Sequence, residues 1–270
     1  GTLFIDAASG YIFVSHQVGH TAAETIESKM RFEREALACG VSVKAFHTDN
    51  GVFTSKEFLR ELGEKGQGIT LSGVSAQFQN GAAENGIKIV VRNARTMMLH
   101  AALRWPGYAE KDLWPMALSH AAHLYNATPK QETGISPETI FTRTTQDTQA
   151  LRNAHPWGCP VYVLQPKLKE GQKIPKWEPR SRRGQYMGTS PLHGSTVRLV
   201  RNLQTGSITP QFHMVYDDFF ETVHSDEETE PTEWGELLQF NRFKSDFDDE
   251  AYVPELTDEW LNSEERHGRE

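Results

Sequence analysis

The chain has 270 residues, 37% hydrophobic and 24% charged, with a formal net charge of −8. That length suits one large domain or two small ones, with enough apolar residues for a real core. No run of 18 apolar residues occurs, which excludes a transmembrane helix, and two cysteines, Cys39 and Cys159, exclude a disulfide framework or a four-ligand zinc site.

The start, Gly1-Thr2-Leu3-Phe4-Ile5, has no basic leader and reads like the middle of a strand. Leu3 to Ile5 and Tyr11 to Val14 flank Ala7-Ala8-Ser9-Gly10, which predicts a hairpin. Thr21 and Glu24 are spaced as a capping box. The helix they open carries apolar Ala22, Ala23, Ile26, Met30 and Leu37 and stops at Gly40. Val41 to Phe46 alternates as a strand and runs into His47-Thr48-Asp49-Asn50-Gly51. Thr54 with Glu57 repeats the capping pattern ahead of Phe58, Leu59 and Leu62, and Ile69 to Leu71 is another strand. A polar loop from Gly73 to Gly81 leads into a long helix with a stripe at Ala83, Ile87, Val90, Ala94, Met97 and Ala101. A further helix spans about Asp112 to Asn126, ended by Pro129.

From His155-Pro156-Trp157-Gly158 onward the pattern changes. Val161 to Leu164, Gly184 to Met187, Val197 to Val200 and Phe212 to Val215 are short strands separated by Gly, Pro and Ser, a small all-β module. Charge changes with it. Residues 1–156 balance 15 basic against 15 acidic side chains, residues 157–216 carry 9 basic against 2 acidic, and residues 217–270 carry 4 basic against 19 acidic. The middle attracts a polyanion and the tail repels one, so the whole-chain charge misleads about partners. The tail has blocks of like charge and little periodicity, the composition of a solvated or disordered linker. The expected organisation is an α/β head over 1–150, a basic β module over 157–222 and an acidic tail over 223–270.

Two acids stand where chemistry collects in α/β folds. Asp49 lies where a strand ends, and Glu84 lies in the first turn of the long helix. Hard divalent ions take carboxylate oxygens, and Mg²⁺ uses only one or two of them while keeping waters and phosphates. Each acid also has a plainer reading: Asp49 before Asn50-Gly51 as turn chemistry, Glu84 as a charge favourable to the helix dipole. Lys88 and Arg92 follow Glu84 at i+4 and i+8, with Arg95 close by, so the face is either a phosphate track or a solvated surface with a Glu84–Lys88 pair.

An ordered set of stretches resembles the integrase core of copia-type LTR retrotransposons, within the retroviral integrase superfamily. They are Phe4-Ile5-Asp6 through Tyr11, His47 to Gly51 with Ser55-Lys56-Glu57-Phe58, Gln79-Asn80-Gly81-Ala82-Ala83-Glu84, Ala94 to His100, and Leu113-Trp114 to Pro129. Ile135 to Glu138, Trp157 to Val163, Arg182 to Tyr186 and Phe212 to Asp218 complete it, covering roughly residues 3–223. The resemblance implies an RNase H-like core, a mixed sheet with flanking helices. It also implies Mg²⁺ or Mn²⁺ held by an Asp-Asp-Glu set, and joining of element DNA ends to a target duplex by a homo-oligomer. It places the protein in the nucleus or in a cytoplasmic particle.

By this match Asp49 is the second acid and Glu84 the third, with Gln79 and Asn80 in a flexible DNA-contacting loop. Asp6 matches a second-strand aspartate that is not a metal ligand, and its reassignment as the first acid is the alternative. The chain accordingly begins after the family's first acid and first strand, and Asn85 stands where an arginine is common. Lys88, Arg92 and Arg95, with Lys173, Lys176, Arg180, Arg182 and Arg183 of the β module, are the implied phosphate contacts. The reaction implied is metal-dependent 3′-end processing and strand transfer. The competing reading is a truncated, non-catalytic DNA-binding remnant.

Overall fold

The computed structural model describes residues 1–49, 51–72, 81–144, 149–169, 171–194 and 196–223. Gln79 and Asn80, with the loop before Gly81, and the acidic tail from position 224 lie outside them.

Strands β1 (Thr2–Ile5) and β2 (Ile12–Ser15) form the expected antiparallel hairpin, Ile5 opposite Ile12. The Asp6 carboxylate closes its turn, accepting from the Ser9 amide at 2.8 Å and the Ser9 hydroxyl at 2.6 Å. Gly10, at φ +71°, supplies the left-handed step that side chains resist.

Helix α1 (Ala22–Ala38) begins with both halves of the Thr21–Glu24 capping box. Its buried face is not the apolar set read from the sequence. Thr25, Ser28, Lys29, Phe32 and Ala36 are buried, while Met30 and Leu37 are 37% and 70% exposed. Polar groups are tolerated there because each finds a partner. Ser28 bonds Ser15 at 2.8 Å, and Lys29, fully buried, pairs with Glu33 at 2.7 Å and Glu61 at 2.5 Å.

Strand β3 (Ala45–Thr48) starts later than the sequence pattern predicts, because its parallel partner β4 (Gly68–Leu71) begins opposite Ala45. Helix α2 (Lys56–Glu64) makes the crossover. Ser55, not Thr54, caps it, accepting from the Phe58 amide, while the Thr54 hydroxyl turns back to the Gly51 carbonyl at 2.9 Å. Among the described residues no ladder joins the hairpin to the β3–β4 pair. They meet through aromatic packing: Phe4 stacks on Phe32 at 5.1 Å and approaches Phe46 edge-on at 6.3 Å.

Helix α3 (Gly81–Arg104) buries Gly86, Val90, Ala94, Met98, Ala101 and Ala102. The stripe read from the sequence is rotated at two positions. Ile87 is 46% exposed and Met97 only half-buried, because the helix turns its smallest residues inward to lie close on the hairpin. A Cβ at Gly86 would sit 2.3 Å from Ile5 Cδ1, so only glycine fits without displacement. Helix α4 (Trp114–Ala127) packs on α3 and β2 with small residues of its own, Ala117, Ala121 and Ala122. Its Asn126 side-chain amide accepts from the Ile12 N–H at 2.9 Å and donates to the Ile12 carbonyl at 2.8 Å, occupying the outer edge of β2 as a strand would. Short helices α5 (Pro137–Thr142) and α6 (Gln149–Arg152) follow.

The second sheet is antiparallel throughout, in the order β8-β7-β6-β5-β9. Its strands are β5 (Pro160–Leu164), β6 (Ser181–Thr189), β7 (Arg198–Asn202), β8 (Ile208–Gln211) and β9 (Met214–Tyr216). The sequence pattern shows four strands. Strand β8 escapes it because Pro210 reads as a breaker, yet β8 is an edge strand, where proline's missing N–H costs no ladder bond. Phe212 and His213, expected within a strand, form the link between β8 and β9. The short helix α7 (Pro166–Lys169) sits in the β5–β6 connection.

Helix α4 packs on β6, and the buried Arg201 pairs with Glu110 and donates to Gln185, which in turn donates to the Tyr108 carbonyl. All described residues fall in one compact unit. The result is the mixed α/β class the sequence predicts. No helix among the described residues is long and apolar enough to cross a membrane.

Candidate acidic pair and nucleic-acid interface

Parallel pairing brings the C-terminal ends of β3 and β4 side by side. The Ser72 amide donates to the Thr48 carbonyl at 2.9 Å, and His47 bonds the Thr70 hydroxyl at 2.9 Å. Asp49 leaves the sheet from this tied end. Its Oδ1 accepts from the Gly51 amide at 3.3 Å, the turn contact that an Asp-Asn-Gly sequence favours, while Oδ2 has no partner among the described residues.

Glu84 occupies the first turn of α3, half-buried, with no hydrogen-bond or ion-pair partner among the described residues. Two residues further on, Gly86 seats the helix against Ile5 and Ile12, which fixes where that first turn stands relative to the hairpin. The Glu84–Lys88 pair of the plainer reading does not form. Asp6 follows Ile5, but its Oδ2 is committed to Ser9, so the geometry gives it a turn-closing role. Among the described residues no group of three or more His, Cys, Asp or Glu side chains is arranged to hold a metal. Each carboxylate is of the oxygen-donor type that a hard cation takes, Asp49 in the turn after β3 and Glu84 at the start of α3.

Behind Glu84 on α3, Lys88 and Arg92 are exposed and Arg95 is half-buried. The Arg95 Nε–H is shielded from solvent and has no acceptor among the described residues. A donor left so costs free energy unless something accepts from it.

The β module carries the second set. Lys173, Lys176 and Arg180 are exposed in the connection between β5 and β6, and Arg182 and Arg183 begin β6. The Arg183 guanidinium lies over the Trp105 ring at 5.6 Å, which braces it toward solvent. Lys169 donates to Gln211 at 2.8 Å, and partial burial, then the neighbouring Arg182 charge, hold its ammonium below the usual lysine range. Among the described residues none of these cations pairs with a carboxylate.

Composition overstated the module's free charge by two. Arg198 and Arg201 are buried, Arg201 against Glu110 and Gln185, Arg198 hydrogen-bonded to Tyr216. In β7 Arg198 and Val200 share one face and Arg201 lies on the other, yet all three are buried, so the strand's alternation carries no signal that separates a structural arginine from a phosphate contact. Sequence reasoning also missed the histidines of α4. His120 lies against Tyr186 and the β6 bulge at Gly188, and burial pushes its imidazole down to about 3, with the charges of His123 and Arg198 adding to the effect.

The sequence matches no family model and no curated protein. Solved structures similar to the chain include the magnesium complex of the HTLV-2 integrase catalytic core domain. Its trimeric form is 20% identical, with 52% of this chain and 82% of that chain covered at a TM-score of 0.39. The dimeric form is likewise 20% identical, with 52% and 81% covered at a TM-score of 0.37. The simian T-cell lymphotropic virus intasome in complex with the PP2A regulatory subunit B56 gamma is 16% identical, with 79% and 70% covered at a TM-score of 0.42.

Proposed function

We propose that the chain handles DNA in retrotransposon integration, as the catalytic core (1–150) and basic β module (157–222) of a copia-type integrase. The observation that carries this reading is on α3. Glu84 stands without a partner among the described residues in the first turn, and Lys88 and Arg92, exposed behind it, are free to meet phosphates. Asp49 and Glu84 would hold Mg²⁺ or Mn²⁺. Such an ion, when bound, supplies Lewis-acid stabilisation to the phosphate undergoing transfer.

The chain's own residues do the positioning. Lys88 and Arg92 bind backbone oxygens along α3, and Arg95 offers its shielded Nε–H to an anion beside them. Lys173, Lys176, Arg180, Arg182 and Arg183 add sequence-neutral affinity from the β module. Engaging element ends and a target duplex together calls for more than one copy of the chain, hence a homo-oligomer acting in the nucleus or in a cytoplasmic particle.

A second reading, DNA binding without chemistry, is favoured by one specific observation: the described residues include no three-ligand acidic group. A strand-transfer assay with Mn²⁺ separates the two. Joining of DNA ends that disappears in Asp49→Asn and Glu84→Gln supports the catalytic reading. No joining, combined with salt-sensitive DNA binding that survives Asp49→Asn and falls when Arg180, Arg182 and Arg183 are neutralised, supports the second. Absence of DNA binding at any salt refutes both.

A further inference from the structure

Between β5 and β6 the chain makes an excursion over positions 165–180 whose charge is strongly one-sided. Positions 165–183 hold seven basic residues and two acidic ones, Glu170 and Glu178. At its tip Pro175, Lys176, Trp177 and Glu178 form a tight turn, closed by the Glu178 amide donating to the Pro175 carbonyl at 3.1 Å. Lys176 and Trp177 are its two central residues. Trp177 is 91% exposed, against 4% and 6% for Trp157 and Trp105. An indole surrendered to water at a loop tip forgoes the burial that normally retains tryptophan. Pro175 and Pro179 restrict the backbone on both sides, so the ring is held out at little further entropic cost on binding. The Lys176 ammonium lies over the ring, 5.6 Å from its centroid.

We propose that Trp177 is a stacking platform for an unpaired nucleobase, with Lys176, Lys173 and Arg180 receiving the phosphates on either side of it. The inference rests on the DNA reading above and narrows it to single-stranded or frayed DNA at this loop. Three features point to that occupant and away from a duplex or a protein. Base pairs inside a duplex expose no π-face, so a projecting indole gains nothing from an intact helix except at its end. Along the excursion Lys176 adjoins Trp177 and Lys173 and Arg180 lie within four residues of it, with Ile174, the two prolines and Glu178 between them, a more charged surround than the apolar rim a protein docking site carries. Stacking beside an ammonium is how sequence-tolerant single-strand binders combine base and backbone contacts.

The test uses the whole chain and fluorescence anisotropy with two labelled DNAs, an oligothymidylate and a dumbbell duplex closed at both ends. The variants are Trp177→Ala, Trp177→Phe and the triple change Lys173→Gln, Lys176→Gln, Arg180→Gln. Trp177→Ala is expected to weaken single-strand binding by about tenfold and dumbbell binding by less than about twofold, while Trp177→Phe keeps most of the single-strand affinity. The triple variant weakens both DNAs and flattens the salt dependence. Unchanged single-strand affinity in Trp177→Ala overturns the stacking role and leaves the DNA reading standing if the triple variant still loses binding. Equal loss on both DNAs overturns it as well. Failure of the unaltered chain to bind either DNA overturns this inference and the reading beneath it together.

Discussion

The seat of α3 on the hairpin can be tested through Gly86. A Cβ there would lie 2.3 Å from Ile5 Cδ1, 3.4 Å from Ile12 Cδ1 and 3.5 Å from Ile5 Cγ1. Carbon atoms rest at about 3.5–4.0 Å, so the first contact is more than an ångström too close while the other two are ordinary van der Waals contacts. Gly86→Ala therefore carries two opposed effects. The helix gains about 1 kcal/mol from alanine's propensity, and the overpacked contact costs roughly 1–3 kcal/mol as Ile5 leaves its rotamer. The expected net is a loss of about 1 kcal/mol.

Ile5→Val removes the offending Cδ1 at a cost of roughly 0.5–1.5 kcal/mol. In that background Gly86→Ala should stabilise by up to about 1 kcal/mol, for a coupling near 2 kcal/mol. Urea unfolding of the unaltered chain, both single variants and the double variant measures the cycle, with an unchanged m-value as the check on two-state behaviour. Additivity within about 0.5 kcal/mol would refute the close approach, and with it the stated placement of the Glu84 turn.

Other outcomes follow from single contacts. Asn126→Leu strands the Ile12 N–H and C=O, both bonded only to that amide on this side, and should cost about 2–4 kcal/mol with accelerated amide exchange at Ile12. Exchange unchanged at Ile12 would show that another group covers the edge of β2. Lys29→Met leaves Glu33 and Glu61 with Lys65 as their shared cation and Glu33 with the Gln67 amide, so about 2–3 kcal/mol should be lost, less than the 3–5 kcal/mol of a fully broken buried pair. Adding Glu61→Gln should recover part of that loss in the same unfolding assay.

His120 gives a pH signature. Its folded pKa of about 3 lies below the ordinary 6.5, so its contribution is complete above pH 6.5 and is lost as pH falls toward 3, because the unfolded chain takes the proton first. Stability should fall by up to about 1.4 kcal/mol per pH unit below 6.5 on its account. His120→Leu should flatten the profile between pH 4.5 and 6.5, and an unaltered slope there would place the acid sensitivity elsewhere. Glu33 acts lower still. Burial raises its pKa, but hydrogen bonds from Lys29, Lys65 and Gln67 prevail and hold it below the carboxylate norm. Its contribution is therefore lost only as pH drops through that lowered value.

Local chemistry was legible without coordinates. The Thr21–Glu24 box, the Gly40 stop, the hairpin around Asp6 to Gly10 and the long helix opening near Glu84 depend on contacts a few residues apart, which sequence spacing states directly. The positions of Asp49 at a strand end and Glu84 in a helix's first turn were readable for the same reason.

Which way each element faces was not readable, because that is settled between segments far apart in the chain. Lys29 is buried on α1 while Leu37 is exposed, because Glu61, far along the chain, supplies the opposite charge. Gly86 rather than Ile87 faces inward, because Ile5 leaves no room for a side chain. Arg201 belongs to the core and Arg183 to the surface only because Glu110 meets the first and Trp105 braces the second. Periodicity and charge thus determine the elements and the basic character of the middle segment. Tertiary packing decides which cations remain for a ligand, since a charge is free only where no distant partner has been folded against it.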